Sequence, residues 1–430
     1  MIEIIDYKKF NLLPSYYKRR LDYSNIENKV KFIIEEVKKH KDKALYNFAL
    51  EFDKTDLKKI GIKEKISNFK KSYKKYLKKD KFFIKSLEES IKRVKKFHFS
   101  QKEKSFLLTE YNDGIEITGQ IILPLEKVCI YIPGGKALYP STIIMNVIPA
   151  QIAGVKEIYV TTPVKNNEDV SDEILVTLYL LGIYNLYKIG GAHSIAAFAY
   201  GTESIPSVNK ICGPGNIYVT TAKKLVYGDV DIDMIAGPTE VVIIADEKAN
   251  PEFIAIDLLA QAEHDEMAMP ILLTTSKKVA LKVRKCIKKF FEQYKNRIAE
   301  TAIKNNGIAI IVDSITKAFD IANDIAPEHL EIMVEAPFEY LPLVKNAGSV
   351  FLGEYSPEAV GDYIAGPNHT LPTMGTAKFY SQLGVYHFVK RTGVVYFSKQ
   401  KLKKLQPFIS KIAEKEKLKF HSLSVKRETL

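Results

Sequence analysis

Histidine is scarce in this chain, and half of the histidines fall in short segments that hold other metal-binding or proton-transferring side chains. The chain has 8 histidines in 430 residues, and four of them are His264, His329, His369 and His421. Gln261 precedes His264 by three positions in QAEH, a spacing that puts two side chains on one face of a helix. Imidazole nitrogens and amide or carboxylate oxygens are common zinc ligands. This distribution predicts a metal-assisted enzyme.

Two isolated residues, Asp362 in GDYIAGPNH and His421 in KFHSLSVKRE, could complete a divalent-metal site with Gln261 and His264. The glycines around Asp362 predict a loop that passes close to another group. Each residue also has a structural interpretation. His264 can interact with the dipole at a helix end, Asp362 can cap a turn, and His421 can be a solvated side chain of a basic tail. His369 could be a metal ligand or a hydrogen-bond donor that supports a ligand, and the spacing does not decide between the two. The metal hypothesis therefore depends on the whole set.

Glu328 and His329 pair a carboxylate with an imidazole between the end of a predicted helix and the strand LEIMV. An imidazole can take a proton from an alcohol near neutral pH, and a neighbouring carboxylate can polarise a water or orient the ring. A loop in which these side chains only form ion pairs is an equally good interpretation. Loops at a sheet rim often carry chemistry in α/β proteins, but the sequence does not reveal which rim this is.

The size and composition indicate a globular protein with two or more domains. A chain of 430 residues exceeds one ordinary core, and 46% hydrophobic with 27% charged residues is not a disordered composition. No stretch of eighteen apolar residues predicts a membrane span, and the first residues lack the pattern of a secretory signal. The three cysteines are few and far apart, which is typical of a reducing cytoplasm.

The net charge of +13 raises the question of a nucleic-acid partner. Lysine is spread throughout the chain rather than gathered in a stripe. The densest run, 70–104, together with the residues just before it, repeats apolar side chains such as Phe69, Tyr73 and Tyr76 at helical spacing. We interpret the lysines as the solvated faces of amphipathic helices and predict no nucleic-acid partner.

The order of apolar segments predicts an α/β fold with two Rossmann-like parallel-sheet domains and small helical elements at both termini. Residues 1–27 are expected to form an N-terminal helical arm. Residues 107–237 alternate strand and helix and form one domain. Residues 28–106 and 238–382 are expected to form a second, discontinuous domain that carries the metal and proton-transfer residues. Residues 383–430 form a tail of one or two strands and basic helices.

Glycine-rich turns follow several predicted strands, at Gly134-Gly135, Gly190-Gly191 and Gly213-Pro214-Gly215. Turns that open helices can present backbone N–H groups to a pyrophosphate. The GxGxxG dinucleotide fingerprint is absent from the sequence. Taken alone, these turns are weak evidence for a nucleotide, because glycine is common at sharp strand-to-helix connections.

Together the segments resemble the histidinol dehydrogenase family. The matching stretches run in family order over the last two-thirds of the chain and are YIPGGKALYPST, GGAHSIAAFAYGT, KICGPGNIYV, DIDMIAGPTEVVIIAD, DLLAQAEHD, APEHLEI, GDYIAGPNHTLPT and KFHSLSV. Eight stretches in order are highly specific, although no single one is decisive.

The resemblance implies a role for each matching residue. The zinc ligands would be Gln261, His264, Asp362 and His421. The catalytic pair would be Glu328 and His329. The substrate would contact the four zinc ligands and His329 together with Thr239, His369 and Glu416. The cofactor NAD would contact Tyr131, His193 and Asn216. Two residues depart from the family, which usually has Gln at 193 and Ser at 239. The imidazole of His193 can also donate a hydrogen bond, and Thr239 keeps the hydroxyl group.

The resemblance also implies the activity, a zinc-dependent and NAD-linked four-electron oxidation of L-histidinol through L-histidinal to L-histidine. It implies a cytoplasmic homodimer in which the tail, with Glu416 and His421, reaches into the neighbour's site. Two other hypotheses stay open. A zinc hydrolase would keep the metal and a water activated by Glu328 but would not use NAD. A nucleic-acid-binding protein would show salt-sensitive retention of DNA.

Overall fold

The computed structural model of the chain describes residues 1–10, 24–134 and 139–426. Residues 11–23 of the predicted N-terminal arm and Gly135 of the first glycine turn lie outside these residues. The strands are β1 (Glu3–Asp6), β2 (Phe106–Glu110), β3 (Glu116–Pro124), β4 (Lys127–Tyr131), β5 (Glu157–Thr161), β6 (Leu186–Tyr187), β7 (Lys210–Cys212), β8 (Asp231–Ile232), β9 (Glu240–Ala245), β10 (Met269–Thr274), β11 (Ile308–Ile311), β12 (His329–Met333), β13 (Ser349–Leu352) and β14 (Val389–Phe397).

Helices connect most of these strands. The α-helices are α1 (Tyr7–Phe10), α2 (Ser24–Asp53), α3 (Leu57–Ile60), α4 (Ile66–Lys79), α5 (Lys81–Phe99), α6 (Pro140–Ala153), α7 (Asp172–Leu181), α8 (Gly191–Tyr200), α9 (Ile217–Val226), α10 (Pro251–Ala262), α11 (Lys277–Gln293), α12 (Arg297–Asn306), α13 (Ile315–Ile325), α14 (Pro337–Tyr340), α15 (Glu358–Tyr363), α16 (Lys399–Lys415) and α17 (Lys419–Ser424). Short 3₁₀ helices cover Leu341–Leu343, Thr376–Lys378 and Val385–Phe388.

The first parallel sheet has five strands in the order β6-β5-β4-β7-β8. In chain order this is 3-2-1-4-5, the arrangement of a Rossmann-type half, in which the topological switch point lies between β4 and β7. Helices α6 and α7 belong to one hydrophobic core with residues of the sheet, and helices α8 and α9 belong to a second core with other residues of the sheet. The predicted Rossmann-like unit is therefore confirmed.

The second parallel sheet has six strands in the order β1-β11-β10-β9-β12-β13. Its central strands, EVVIIA and MPILLT, are buried along their whole length. Such continuous apolar runs are typical of parallel strands that are covered on both faces. Helices α10, α11 and α12 share one core with the sheet, and α13 contributes to the other. The structure thus confirms the predicted α/β class with two parallel sheets.

The N-terminal third differs from the expected organisation. Residues 3–6 are not helical but form β1, the edge strand of the six-stranded sheet. The helices between residues 24 and 99 pack on the five-stranded sheet, with α2 against α8 and α9, α4 against α7, and α5 against α6. The expected grouping of 28–106 with 238–382 is therefore wrong for these helices. Apolar periodicity identifies the buried face of a helix, but it does not say which sheet will cover that face.

The tail is joined to the middle of the chain by a third sheet. Strand β14 pairs antiparallel with β3, and β3 pairs with β2. Helices α16 and α17 follow and pack against each other. In the part of the chain that the structure describes, no helix is both long and apolar enough to cross a membrane.

Candidate active site

A cleft of about 370 Å³ separates the two parallel sheets. One wall comes from the carboxyl ends of β4, β7 and β8 and includes Pro133, Gly213–Asn216 and Asp233. The opposite wall comes from the amino ends of β9 and β12 and includes Thr239 and His329. The cleft is large enough for a small-molecule ligand. Ligands of open α/β sheets usually bind at the carboxyl ends of the strands, and the five-stranded sheet presents this edge to the cleft. The six-stranded sheet presents the amino ends of its strands instead.

Glu328 and Thr239 meet because they precede neighbouring strands. Strands β9 and β12 pair in parallel, with His329 opposite Val241, so the residues just before them reach the same edge. The Thr239 hydroxyl donates to Glu328 Oε2, and the Glu240 backbone N–H donates to the same oxygen at 3.2 Å. The carboxyl group is thereby held at the floor of the cleft.

Gln261 links this carboxyl group to the imidazole. It lies in the last turn of α10, which runs back across the sheet from the predicted start at Asn250 and Pro251. Gln261 Nε2 donates to Thr239 Oγ1 at 2.6 Å, and Gln261 Oε1 lies 2.9 Å from His329 Nδ1. Because an amide oxygen only accepts, Nδ1 carries the hydrogen and the lone pair of the neutral ring is on Nε2. One hydrogen-bonded chain thus runs from His329 through Gln261 and Thr239 to Glu328.

Burial favours the uncharged form at both ends of this chain. Burial raises the pKa of the Glu328 carboxyl to about 8, although the hydrogen bonds from Thr239 and Glu240 oppose the shift. Burial lowers the pKa of the His329 imidazole to about 4, against the attraction of Asp362. At neutral pH the imidazole is therefore free of a proton on Nε2 and can act as a base.

A second buried carboxyl group lies behind the imidazole. Glu358 Oε2 is 3.8 Å from His329 Nδ1, and Glu328 Oε2 is 3.9 Å from it. These distances are short enough for ion pairs, but burial raises the pKa of the Glu358 carboxyl well above its ordinary value. The raised pKa of Glu358 and the lowered pKa of His329 both disfavour an ion pair between these two groups. Glu358 has no motif of its own, and only the packing of α15 against β12 reveals it.

The predicted metal ligands are brought together only in part. His264 and Asp362 line the cleft, and the fully buried Gln261 lies behind its wall, hydrogen-bonded to Thr239 and His329. His264 lies two residues beyond the end of α10 rather than on the helix face that the spacing predicted. Glu263 caps the helix, so the chain turns away there. Within residues 1–10, 24–134 and 139–426, no group of three His, Cys, Asp or Glu side chains is arranged to hold a metal ion. Of the predicted ligands, one chain therefore places His264, Asp362 and the amide of Gln261 at this end of the cleft.

His369 lies beside this partial set, whereas the tail residues do not. His369 Nδ1 is 3.8 Å from Asp362 Oδ1, and its buried Nε2 lacks a hydrogen-bond partner among the described residues. His421 and Glu416 are both exposed to solvent, on α17 and just after α16, and neither lines the cleft among the described residues. The folding of one chain therefore leaves the tail residues away from the other predicted ligands.

The predicted cofactor residues occupy the carboxyl edge of the five-stranded sheet. The buried Tyr131 hydroxyl accepts a hydrogen bond from the Gly191 backbone N–H at 3.2 Å, at the start of α8. Asn216 lines the cleft and caps α9, because its Oδ1 accepts from the backbone N–H groups of Tyr218 and Val219. His193 is only 1% exposed and lies against the rings of Phe48 and Phe52. Its NAD contact stays a prediction.

His193 should make the protein less stable in mild acid. Neither ring nitrogen has a hydrogen-bond partner among the described residues, and burial lowers the pKa of the ring to about 3. An unfolded chain takes up this proton below about pH 6.5, so stability falls as the pH drops from 6.5 towards 3. Between pH 7 and pH 5, we expect the free energy of unfolding to fall by about 2 kcal/mol less in His193→Leu than in the wild type.

Urea denaturation of the wild type and of His193→Leu at the two pH values measures this effect. The exposed His40 provides the matched control, and His40→Leu should leave the pH dependence unchanged. If His193→Leu and the wild type lost equal stability on acidification, protonation of His193 would not destabilise the folded protein. The folded protein would then have to stabilise the charged ring, and the prediction would be wrong.

A buried ion pair that the sequence did not signal holds the third glycine turn. Lys223 and Asp233 are paired, with side chains 3% and 1% exposed. Lys223 Nζ donates to the Gly213 carbonyl at 2.9 Å, and the Gly213 N–H donates to Asp233 Oδ2 at 2.7 Å. Gly213 has φ +109°, and a Cβ there would overlap the Tyr131 carbonyl oxygen. The turn is predictable from its glycines, but its partners lie 10 and 20 residues along the chain.

Comparison with known proteins identifies full-length relatives. A family model described as histidinol dehydrogenase matches residues 17–428. The chain is 48% identical over 434 residues to histidinol dehydrogenase from Caldanaerobacter subterraneus subsp. tengcongensis, which covers 99% of each chain. It is 49% identical over 401 residues to the enzyme from Listeria monocytogenes, covering 93% of this chain and 92% of that one. The crystal structure of histidinol dehydrogenase from Elizabethkingia anophelis matches with a TM-score of 0.92 and 37% identity, over 99% of this chain and 97% of that one.

Proposed function

The chain belongs to the histidinol dehydrogenase family of oxidoreductases, and from this premise we propose that it oxidises L-histidinol through L-histidinal to L-histidine with zinc and NAD. The observation that carries the proposal is the hydrogen-bonded chain from His329 to Glu328 at the cleft between two sheets. It provides a neutral base and a carboxyl group in one site, which are the two groups that an alcohol oxidation followed by an aldehyde oxidation requires.

In the first oxidation, His329 Nε2 takes the hydroxyl proton of L-histidinol while the carbinol carbon loses a hydride to the oxidised cofactor. The Nδ1–H bond to Gln261 holds the ring in the tautomer that can accept this proton. L-Histidinal remains in the cleft.

In the second oxidation, Glu328 in its carboxylate form takes a proton from a water that adds to the aldehyde carbon. His329 returns the proton of the first oxidation to the former carbonyl oxygen, which gives the hydrate and a neutral imidazole. The hydrate then loses its hydroxyl proton to His329 and a second hydride to a second molecule of oxidised cofactor, which gives the acid. A carboxyl group with a pKa of about 8 supplies the basic form more readily as the pH rises through that value. The side-by-side position of the two groups serves two successive steps on one substrate.

Zinc would be held by Gln261, His264 and Asp362 of one chain with His421 from the tail of a second copy. When bound, zinc would orient the imidazole and amine of L-histidinol. The donor set of nitrogen and oxygen atoms fits this metal. His264 and Asp362 line the cleft, and Gln261 is hydrogen-bonded to Thr239 and His329 of its wall. The exposed position of His421 supports a homodimer with shared sites, in which Glu416 of the same tail and Thr239 and His369 of the first chain also contact the substrate.

NAD would lie along the carboxyl edge of the five-stranded sheet, near Tyr131 and Asn216, with His193 as a further contact of the family pattern. Two molecules of NAD, bound one after the other, would each accept one hydride. The turn at residues 213–216 fits such a ligand because it opens a ten-residue helix and lines the cleft. The three free cysteines support a reducing, cytoplasmic location.

One assay tests the proposal directly. Purified protein is mixed with L-histidinol, NAD and zinc, and the NADH formed is counted per L-histidinol consumed. We expect a ratio of two, loss of turnover when zinc is removed by a chelator, and recovery when zinc is returned. A ratio of one would leave a simple alcohol dehydrogenase, and no NADH with any amino alcohol would favour a zinc hydrolase.

A further inference from the structure

The Thr239 hydroxyl is the junction of the hydrogen-bonded chain. Its single proton is donated to Glu328 Oε2, and one of its lone pairs accepts from Gln261 Nε2 at 2.6 Å. Among the described residues, no other side chain is hydrogen-bonded to both the Glu328 carboxyl group and Gln261. A hydroxyl has one proton and two lone pairs, so Thr239 retains only one lone pair for any further partner.

This geometry limits what Thr239 can do for a substrate. A substrate group could donate to the remaining lone pair, but Thr239 cannot donate to a substrate without releasing Glu328. Glu328 is 8% exposed, and the Glu240 N–H, at 3.2 Å, is the other donor to the same oxygen. Losing the Thr239 hydroxyl would therefore leave a buried carboxyl group with one long hydrogen bond, and such a group loses its fixed orientation.

We propose that Thr239 is a positioning residue that aims the Glu328 carboxyl group at the water of the second oxidation. The inference deepens the proposed function and rests on it. The backbone supports the assignment, because Thr239 stands immediately before β9, directly beside the strand that begins at His329. Gln261 keeps its own bond to His329, so the base depends much less on Thr239 than the carboxyl group does.

The test compares the two half-reactions in variants of Thr239. Thr239→Val has nearly the same shape but no hydroxyl, and Thr239→Ser keeps the hydroxyl. With L-histidinal supplied as substrate, we expect Thr239→Val to lower kcat by about 10–100-fold, the usual effect of removing an orienting hydrogen bond behind a reactive group. The oxidation of L-histidinol to the aldehyde, followed in the first turnover, should fall much less, and Thr239→Ser should stay close to the wild type in both.

Two further measurements separate this role from its alternatives. Bound zinc per chain, measured with zinc in excess, should be the same in wild type and Thr239→Val, because the hydroxyl is not a predicted ligand and Gln261 keeps its bond to His329. If Thr239 serves only as a substrate contact and does not position Glu328, Thr239→Val will raise KM for L-histidinol and slow both oxidations by the same factor, which would overturn the inference. Thr239→Ala provides a second hydroxyl-free variant if the valine chain folds poorly, as judged by circular dichroism.

Failure of the inference and failure of the proposed function give different results. If the wild type forms no NADH from L-histidinol or L-histidinal, the proposed function is wrong. If the wild type oxidises both while Thr239→Val oxidises L-histidinal at the wild-type rate, only the positioning role is wrong.

Discussion

Replacing His329 with asparagine will lower kcat for the oxidation of both L-histidinol and L-histidinal by about 10²–10⁴-fold, the range that a general base contributes. Asparagine Nδ2 can still donate to Gln261 Oε1 in place of the imidazole Nδ1, so the hydrogen-bonded chain should survive. Asparagine has no nitrogen that takes up a proton. The variant therefore isolates the loss of the base from the loss of packing.

Steady-state formation of NADH with each substrate measures this effect. The same substitution at the exposed His40 is the matched control and should leave kcat unchanged. Glu328→Gln offers a sharper contrast, because it should slow the oxidation of L-histidinal far more than that of L-histidinol. Near-full turnover of His329→Asn would remove His329 from the mechanism, and an equal loss in both steps would remove Glu328 from water activation.

The His329→Asn chain also tests whether two copies share a site. His421 lies away from the cleft of its own chain, so a His421→Ala chain should be inactive for lack of a ligand supplied to its neighbour. Subunits of the two inactive variants, dissociated and reassembled together, should regain activity. A mixed dimer contains one site built from an intact His329 and an intact His421. If mixing restored nothing although dimers exchanged, the tail would not complete the neighbour's site.

Replacing Lys223 with methionine is expected to lower the free energy of unfolding by about 3–5 kcal/mol, because it leaves the buried Asp233 carboxylate without its partner. The side chains of both residues are almost fully buried, and both also hold the Gly213 peptide group. The loss should therefore reach the turn at residues 213–216. We expect KM for NAD to rise while KM for L-histidinol changes little.

Urea denaturation and steady-state kinetics check the two parts of this prediction. Lys248 and Glu335 form an exposed pair, with side chains 60% and 68% exposed, so Lys248→Met is the matched control and should unfold like the wild type. The double variant Lys223→Met/Asp233→Asn should recover part of the stability, because no uncompensated charge remains buried. If Lys223→Met unfolded like Lys248→Met, the buried pair would contribute no more than a surface pair. An unchanged KM for NAD would separate the ion pair from the cofactor.

Much of the fold and of the site is predictable from local patterns. Continuous apolar runs such as EVVIIA identify buried parallel strands, and Asn250 with Pro251 marks the start of α10 as expected. Glycines identify the turn at Gly213, since a side chain there would overlap the Tyr131 carbonyl group. These features depend on residues that are close together along the chain, and backbone sterics or helix capping determines them locally.

Other features depend on which surfaces meet in three dimensions. The helices between residues 24 and 99 have clear apolar faces, yet only packing decides that the five-stranded sheet covers them. The partners of Gly213 likewise lie at positions 223 and 233, and nothing in the residues between them indicates the contact. Long-range pairing is determined by the global arrangement of elements, which a local pattern cannot encode.

The order of motifs in the sequence by itself determined the family, the α/β class with two parallel sheets and the set of residues that could carry chemistry, because residue type and spacing specify chemical capability and local conformation. Only the tertiary structure decided that the six-stranded sheet contributes its amino-terminal edge, that Thr239 and Gln261 join His329 to Glu328, and that His421 stands apart from the other predicted ligands. The physical reason is that hydrogen bonds and burial depend on distances between distant parts of the chain, and those distances exist only once the two sheets have packed.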